Sequence, residues 1–215
     1  MTPAAALRVL RAGDVALGRL DVLPTLDGVD DGLWALGALA ARGVVVLNEP
    51  AALLAAHDKL LTARLLRRRG VPHPATLHVR RGRPVPLVRG PVVVKPRFGS
   101  WGRDVVRCEA PDGLVARLEA LASRPWFRRH GALVQRLVRP RGYDLRVLVA
   151  GGSVAGAVDR IAAVGEWRTN VALGGVRRSV SSLPPAACAA ALAAAEAIGV
   201  DLAGVDLLPD GAGGW

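Results

Sequence analysis

The chain has 215 residues, about half of them hydrophobic and only 4% aromatic, and its formal net charge is +11. This length can hold one large domain or two small lobes around a sizeable core. No run approaches the roughly 18 consecutive apolar residues of a membrane span, and the first residues lack the pattern of a secretion signal. We therefore predict a cytoplasmic protein. Cys108 and Cys188 show no metal-ligand spacing and are interpreted as reduced, structural cysteines.

The positive charge is carried almost wholly by arginine, because only Lys59 and Lys95 among the 29 basic residues are lysines. The clusters "RLLRRRG", "HVRRGRP" and "WFRRH" raise the hypothesis of nucleic-acid binding. They lack the interleaved aromatic residues of single-strand binders, and no RRM, KH or zinc-finger pattern is present. The sequence instead favours solvated arginine faces, with some arginines that meet a phosphate-bearing ligand.

The first 49 residues predict a small α/β unit. "DVALGRLDVL" reads as a strand, "DDGLWALGALAARG" as a helix that ends at Gly43, and "VVVLN" as a short buried strand. This alternation is typical of a parallel sheet. The next stretch, "NEPAALLAAHDKLLTARLLRRRG", predicts one long helix or a broken pair of helices, which ends at Gly70.

Short strands and helices follow to the end of the chain. "ATLHVR" and "GPVVVKP" predict strands on either side of the loop "RGRPVPLVR", and "DVVRCE" predicts another before the helix "PDGLVARLEALASRP". "GALVQRLV" and "YDLRVLVAGGSVAGAVDRIA" predict antiparallel strands, with a hairpin turn at Gly151 and Gly152. "PPAACAAALAAAEAIG" predicts a helix that ends at Gly199, and "AGVDLL" a final strand before the turn signal "PDGAGG".

The stretch "VVVKPRFGSWGR" places Lys95 at the end of an apolar strand, directly before a glycine loop. It differs from the P-loop, whose lysine follows the glycines at a helix start, and from G-x-G-x-x-G. Its glycines would still allow backbone N–H groups to approach phosphate oxygens, which a nearby ammonium would neutralise. The alternative for this stretch alone is an ordinary turn with a lysine that reaches solvent.

Seven stretches taken together carry a resemblance that none carries alone; they are "HDKLLT", "VVVKPRFGSWGR", "VQRLV", "YDLRVLV", "VDRIA", "EWRTNVALGG" and "GVDLL". In this order they resemble the ATP-grasp superfamily, in its RimK-type branch of glutamate and carrier-protein ligases. The resemblance implies an α/β (α+β) fold in which two lobes clasp ATP. It divides the chain into a shortened N-terminal α/β unit at 1–49, an N-lobe with leading helices at 50–131 and an incomplete C-lobe at 132–215.

The resemblance also implies a role for individual positions. Lys59 and Lys95 would reach the nucleotide, a loop would close over the phosphates, a hinge would pair its backbone with the adenine edge, and an acid would contact the ribose. The implied nucleotide-binding residues are Lys59, Lys95, Gly99, Ser100, Trp101, Gly102, Gln135, Arg136, Leu137, Asp144 and Thr169. The residues implied to face the phosphates and the carboxylate substrate are Arg160, Arg168 and Asn170, and the implied metal ligand is Asp206.

Simpler interpretations of three of these residues stay open at this point. Arg160 and Arg168 could be solvated strand arginines, and Asp144 could be an ion-pair partner of Arg146 or Arg141. The four histidines are not spaced like metal ligands. The sequence also shows no Ser-His-Asp or Cys-His pattern of a nucleophilic enzyme. Arg136 stands where many relatives have Glu, which matters little if the hinge acts through its backbone.

The chemistry implied by the resemblance is amide formation. ATP, with Mg²⁺ or Mn²⁺, phosphorylates a carboxylate, and an amine such as that of glutamate attacks the acyl phosphate to release phosphate. Phosphoryl transfer needs alignment and charge neutralisation, which the lysines and arginines would supply. The expected partners are therefore ATP, a carboxylate substrate and an amine, without membrane or nucleic acid; relatives are often oligomers, so a homo-oligomer is also expected.

Relatives carry a Glu-x-Asn that completes the Mg²⁺ site after the strand matched by "GVDLL", and this sequence ends at Trp215 without it. Two explanations are open: a ligase shortened at both ends, or a protein that keeps nucleotide binding without catalysis. A basic RNA-binding or ribosome-associated protein is a third hypothesis. No motif identifies the acceptor.

Overall fold

The computed structural model describes residues 1–85, 87–109 and 111–215. Pro86, within the predicted loop "RGRPVPLVR", lies outside them. The described residues form a small N-terminal unit, a pair of connecting helices, and two four-stranded sheets on which further helices pack. In the part of the chain that is described, no helix combines the length and apolarity needed to span a bilayer.

The N-terminal unit contains α1 (Pro3–Val9), β1 (Val15–Leu17), α2 (Gly32–Ala41) and β2 (Val45–Leu47). β1 and β2 pair in parallel, as the α/β pattern predicts. The strand predicted over 14–23 is much shorter than expected, because the chain turns away after Gly18 and only Val22 returns, to a single bridge with Val29. α1 was not predicted, although Thr2 caps it and Pro3 opens its first turn.

The predicted helical stretch is a broken pair, α3 (Pro50–His57) and α4 (Lys59–Arg68). Asp58 separates them in an extended conformation, and its carboxylate accepts from the backbone N–H groups of Leu60 at 3.1 Å and Leu61 at 3.3 Å. An aspartate in this position satisfies helix N–H groups that would otherwise lack partners. The break therefore fixes Lys59 as the first residue of α4.

The first large sheet has the strand order β3-β6-β4-β5 and is antiparallel throughout. Its strands and the two helices that pack on it are β3 (Thr76–Val79), β4 (Val92–Pro96), β5 (Val106–Cys108), α5 (Pro111–Leu121), α6 (Pro125–His130) and β6 (Ala132–Arg136). The three valines of β4 are buried, which explains the continuous apolar run in the sequence. A core around Val94, Leu114 and Trp126 joins the helices to the sheet.

β6 lies between β3 and β4, which differs from the sequence-based interpretation. "GALVQRLV" was expected to alternate with the following strands and to open the C-lobe, but it pairs only with strands of the first sheet. The segment 137–142, which contains Pro140 and Gly142, carries the chain from one sheet to the other. We therefore propose that the N-lobe extends through Arg136.

The second large sheet has the order β10-β7-β8-β9. It consists of β7 (Tyr143–Ala150), β8 (Ser153–Ile161), β9 (Val176–Ser179) and β10 (Leu202–Leu207), with α7 (Pro185–Ile198) packed against it. Gly151 and Gly152 form the β7–β8 turn, as predicted, and both have positive φ. On α7, Ala187, Ala191 and Ala195 are buried against the sheet, because small side chains at helical spacing let the helix approach closely.

Asn48 joins the N-terminal unit to the second sheet. Its buried side-chain amide donates to the carbonyl oxygen of Leu202 at 2.8 Å and its oxygen accepts from the Leu202 N–H at 2.7 Å. Both bonds connect β2 to the start of β10, which lies 154 residues further along the chain. One side chain thus satisfies both backbone groups of a residue in another unit.

We expect Asn48→Ala to lower the free energy of unfolding by about 2 kcal/mol, because it leaves two part-buried backbone groups unpaired. Urea unfolding followed by circular dichroism measures this change. Glu49→Ala is the matched control, since Glu49 is exposed and its side chain makes no cap contact. Equal stability of the two variants would contradict the assignment.

Candidate functional site

A cleft of about 850 Å³ lies between the two large sheets and is lined from both of them. All the residues singled out from the sequence as site residues line it; they are Lys59, Lys95, Gly99, Ser100, Trp101, Gly102, Gln135, Arg136, Leu137, Asp144, Arg160, Arg168, Thr169, Asn170 and Asp206. The structure thus brings together positions that lie up to 147 residues apart (59 to 206). Their individual roles remain predictions.

Lys95 reaches the cleft from β4, one residue before the strand ends. Its ammonium donates to the side-chain oxygen of Gln135 on the neighbouring strand at 2.6 Å. The Gln135 amide nitrogen in turn donates to the hydroxyl of Thr76 at 2.7 Å, which orients the glutamine with its oxygen toward the lysine. Burial lowers the pKa of Lys95 to about 8. The lysine is therefore held by a neutral group rather than by a carboxylate.

Lys59 approaches the same region from the start of α4, and its ammonium donates to the carbonyl oxygen of Gly99. Burial, followed by the charge of Lys95, lowers the pKa of Lys59 to about 7, although Asp58 acts in the opposite direction. The charge of Lys95 thus disfavours the protonated form of Lys59. Both have neutral oxygens as their direct partners.

The ion pair between Asp58 and Arg97 connects the elements that carry the two lysines. The guanidinium of Arg97 binds both oxygens of Asp58, with the Nε contact at 2.7 Å. The backbone N–H of Lys59 also donates to the carbonyl of Arg97 at 3.1 Å. Burial raises the pKa of Asp58, but the hydrogen bonds from Arg97 and from the start of α4 outweigh it, so the pKa lies below its usual value. Asp58 therefore stays charged, and its carboxylate oxygens accept hydrogen bonds from Arg97 and from the first N–H groups of α4.

The glycine loop after β4 contacts both lobes. Gly99 binds Lys59, and the carbonyl of Gly102 accepts from Arg168 at 2.9 Å. Gly102 has a φ of +72°, and a Cβ there would lie 2.9 Å from the side-chain oxygen of Asn170. A glycine is therefore required at this point for the loop to approach the C-lobe. Trp101 is exposed at the loop tip, with the guanidinium of Arg103 4.7 Å from its ring centre.

Arg168 is positioned by Glu166, which the sequence-based interpretation missed. The carboxylate of Glu166 accepts from Arg168 Nε at 3.0 Å and Nη2 at 2.7 Å, and also from the Arg168 backbone N–H at 3.0 Å. These bonds lower the pKa of Glu166 to about 2. The only signal in the sequence was the spacing of an acid and a base two positions apart, Glu166 and Arg168, within "EWRTN". Arg168 is thus a fixed group and not a solvated strand arginine.

Four charged residues form a network on the second sheet. Asp144 on β7 lies opposite Arg160 on β8, and Arg146 lies opposite Asp206 on β10. Arg160 binds both oxygens of Asp144, with Nε at 2.8 Å, and also contacts Asp206 at 2.9 Å. Thr169 donates to Asp144 at 2.6 Å. Asp144 is thus an ion-pair partner of Arg160. The alternative left open by the sequence, an ion pair of Asp144 with Arg146 or Arg141, is not observed among the described residues.

Asp206, the predicted metal ligand, is occupied by two arginines. Arg146 binds its two oxygens at 2.7 and 2.8 Å, and Arg160 adds a third contact. Within the described ranges, no three His, Cys, Asp or Glu residues are grouped in a way that could hold a metal ion. A metal ion at Asp206 would therefore have to displace at least one guanidinium from its carboxylate.

The predicted hinge residues, Gln135, Arg136 and Leu137, line the cleft. Two of their backbone N–H groups already donate hydrogen bonds within the protein. The N–H of Arg136 donates to Ala75 at 2.9 Å and the N–H of Leu137 donates to Pro91 at 3.0 Å. Val138, the next residue, also lines the cleft.

Two four-stranded sheets that line one cleft, with the lysines on one side and a glycine loop bound by Arg168, are the architecture of an ATP-grasp fold. The RimK-like ATP-grasp domain family matches residues 56–214, and the chain belongs to this family. The family consists of ATP-dependent amide ligases that use ATP with Mg²⁺. The resemblance predicted from the sequence, and with it the fold class, is confirmed.

Several known proteins are similar to this chain. A probable alpha-L-glutamate ligase of Pseudomonas putida is 34% identical over 172 residues, covering 77% of this chain and 56% of the relative. A tetrahydromethanopterin:alpha-L-glutamate ligase of Methanosarcina acetivorans is 31% identical, covering 93% of this chain and 67% of the relative. The chain thus spans roughly 56 to 67% of the length of these relatives.

Among solved structures, a D-alanine–D-alanine ligase from Bacillus anthracis superposes with a TM-score of 0.70 at 18% identity. The match covers 97% of this chain and 69% of that chain. At this identity the likeness shows the fold alone, and that fold is ATP-grasp.

We expect Asp144→Asn to lower the free energy of unfolding by about 3 kcal/mol, because it removes the main partner of a buried guanidinium. Denaturant unfolding measures the loss. Asp159→Asn is the matched control on the same sheet, since Asp159 pairs with the exposed Arg178 at 2.7 Å and should cost less than about 1 kcal/mol. A smaller loss for Asp144→Asn than for the control would contradict the network.

Proposed function

We propose that the cleft binds the triphosphate of ATP between Lys59, Lys95 and the glycine loop, and that the protein ligates a carboxylate to an amine. The observation that carries the proposal is a pair of half-buried lysine ammonium groups in the cleft wall whose direct partners are neutral oxygens. Isolated buried charges are costly. A polyanion in the cleft would supply the missing negative charge to both.

The residue type at these positions also supports a phosphate ligand. An ammonium is a compact charge that can follow a phosphate oxygen, and its pKa shifts when it is buried. Both lysines have lowered pKa values, so part of their charge is absent until an anion enters. The cleft is therefore suited to a ligand whose charge restores the protonated state.

The other predicted site residues would act around the phosphates. Arg168 is held by Glu166 and binds the carbonyl of Gly102, so the C-lobe already contacts the loop that would cover the triphosphate. A covered site would keep water from an acyl phosphate. Arg160 is saturated by Asp144 and Asp206, and we propose that it orders this wall rather than contacting the substrate directly.

The base would lie against the predicted hinge, which consists of Gln135, Arg136 and Leu137. Because the N–H groups of Arg136 and Leu137 are already used, we propose Val138 as the backbone donor to the base. The ribose would lie toward Asp144, whose free capacity is reduced by Thr169.

The reaction we propose is amide formation through an acyl phosphate. A carboxylate oxygen attacks the terminal phosphorus and ADP leaves; the amine then attacks the acyl carbon, phosphate leaves, and the amine loses a proton. Glutamate is the proposed amine, because the relatives described above are named alpha-L-glutamate ligases. Mg²⁺ bound with the nucleotide would neutralise phosphate charge, and every step above is written for the substrates alone.

Nucleotide binding without ligation is a second candidate, favoured by the two arginines that occupy Asp206. Release of ADP when glutamate and acceptor carboxylates are supplied distinguishes the two. Binding of ATP without ADP release supports the second candidate.

Lys95→Ala should weaken ATP binding at least tenfold, because one cation that faces the phosphates is lost; this corresponds to about 1.4 kcal/mol. Calorimetric titration with ATP and Mg²⁺ measures the dissociation constant. Arg69→Ala, at the exposed end of α4 and outside the cleft lining, removes the same charge and should leave it unchanged. Equal affinity of wild type and Lys95→Ala would refute the proposed role of the lysine.

The affinity for ATP should fall as the pH rises from 7.5 to 9, by about tenfold or more. The apo pKa values are about 7 for Lys59 and about 8 for Lys95, so both lose protons in this range, and each pH unit above a pKa reduces the charged fraction about tenfold. ATP binding near pH 8 should therefore take up protons, which titrations in buffers of different ionisation enthalpy detect.

Lys95→Arg is the control for this pH dependence. A guanidinium stays protonated throughout the range, so whatever affinity remains should fall less steeply with pH than in the wild type. A wild-type affinity that is constant over the range would show that the lysines do not contact the ligand.

A further inference from the structure

Two arginine clusters that the ATP cleft does not use meet at one place in the fold. Arg80, Arg81 and Arg83 come from "HVRRGRP", in the turn after β3, and Arg128 and Arg129 come from "WFRRH", at the end of α6. Although they lie about 45 residues apart in sequence, they line a common second cleft of about 270 Å³. The third cluster, "RLLRRRG", does not contribute to it.

The base of this second cleft is closely packed. The ring nitrogen Nε2 of His78 contacts the carbonyl oxygen of His130 at 2.6 Å, and the N–H of Arg83 closes the turn by donating to Arg80 at 3.2 Å. Gly131 has a φ of +71°, and a Cβ there would lie 2.3 Å from the carbonyl oxygen of Val79. Only a glycine lets the end of α6 approach β3 this closely. The two arginine-bearing segments are thus fixed relative to each other.

The second cleft carries a large uncompensated charge. Arg129 pairs with Asp27 at 3.2 Å. The other four arginines form no ion pair with any carboxylate among the residues that the structure describes, and their side chains make no hydrogen bond there either. Guanidinium groups that converge in this way repel one another. An anion is the ligand that would offset this repulsion.

The second cleft is separate from the ATP cleft, with which it shares no lining residue. β3 runs between them: Thr76, at one end, contacts Gln135 of the ATP cleft, and Val79, at the other, contacts the base of the second cleft. The strand rises roughly 3.3 Å per residue, so the two ends are about 10 Å apart.

We propose that this second cleft binds a compact polyphosphate, such as the phosphate chain of a free polyphosphate or of a nucleic acid terminus. Its volume of about 270 Å³ is less than a third of the 850 Å³ of the ATP cleft, so the ligand is small. Linked phosphates place several charges within that space, and guanidinium groups bind their oxygens in pairs.

An acidic peptide fits this cleft less well. Successive side chains of an extended peptide point to opposite sides, so those that face the same way are about 6.6 Å apart. Fewer carboxylates than phosphates would therefore enter so small a volume. The only aromatic residue of the lining, Phe127, is buried, so the cleft offers no surface on which bases could stack.

The test is a calorimetric titration of the whole chain with tripolyphosphate at low and at physiological salt. We expect binding at the second cleft to weaken at least about tenfold in R81A/R128A, since two charge-assisted contacts are lost, and to weaken with salt in the wild type. The matched control is R67A/R68A, which removes two exposed arginines from the last turn of α4 and should leave binding unchanged. Thermal unfolding confirms that both variants are folded.

Lys95→Ala separates this site from the ATP cleft. Lys95→Ala should abolish tripolyphosphate binding only at the ATP cleft, where ATP competes for the site. R81A/R128A should abolish tripolyphosphate binding only at the second cleft. If one of the two proposals fails, the other can therefore still be tested. A short oligonucleotide with a 5′-triphosphate, compared with its 5′-hydroxyl form, distinguishes a nucleic acid terminus from a free polyphosphate. Unchanged tripolyphosphate binding in R81A/R128A, an equal loss in R67A/R68A, or stronger binding of a hexaglutamate peptide would overturn the proposal.

Discussion

The ion pair between Asp58 and Arg97 is the contact on which the candidate ATP site depends. Asp58 precedes Lys59, and Arg97 follows Lys95 by two residues, so one ion pair sets the distance between α4 and β4. Asp58 also caps α4. Because its carboxylate is shared between a guanidinium and two helix N–H groups, it has little capacity left for Lys59. The same interaction thus brings the lysines together and leaves neither of them with a directly bonded carboxylate.

The two walls of the cleft differ in their charge balance for this reason. On the C-lobe wall, Asp144 and Asp206 are matched by Arg146 and Arg160, so the network is internally neutral. Glu166 likewise balances Arg168. On the N-lobe wall, Lys59 and Lys95 add two charges without partners. An anionic ligand would therefore find two ammonium groups without carboxylate partners on the N-lobe wall, whereas the carboxylates of the C-lobe wall are already balanced by arginines.

The sequence predicted the components of this site better than their connections. Lys59 and Lys95 could be recognised because they are the only lysines, and the strand, loop and helix order followed from apolar patterns and glycines. The Asp144–Arg160 pair could not be read from spacing. Counted from the Gly151–Gly152 turn, a regular hairpin would place Asp144 opposite Asp159, but a bulge between Leu148 and Val149 shifts the register by one and brings Arg160 opposite instead.

The position of β6 was unpredictable from local pattern for a similar reason. Its apolar run is compatible with either sheet, and the choice depends on partners 40 to 60 residues earlier in the chain, on β3 and β4. The role of Asp206 as a metal ligand stays a prediction from the resemblance, and its contact with Arg146, 60 residues away in sequence, could not be predicted locally. Long-range register, rather than residue type, decides these contacts.

The division between lysine and arginine in this chain has a physical logic. The 27 arginines keep their charge in every environment and mostly lie at the surface or in ion pairs, as in the second cleft and on the C-lobe sheet. The two half-buried cleft positions whose direct partners are neutral oxygens hold lysines, whose pKa can fall when the site is empty. An arginine there would keep its full charge without a carboxylate partner and destabilise the free protein. A lysine can lose its proton in the empty cleft, which lowers the free-energy cost of the unpaired charge, and regain it when an anion binds. The same two ammonium groups therefore affect both the stability of the free protein and its affinity for the ligand.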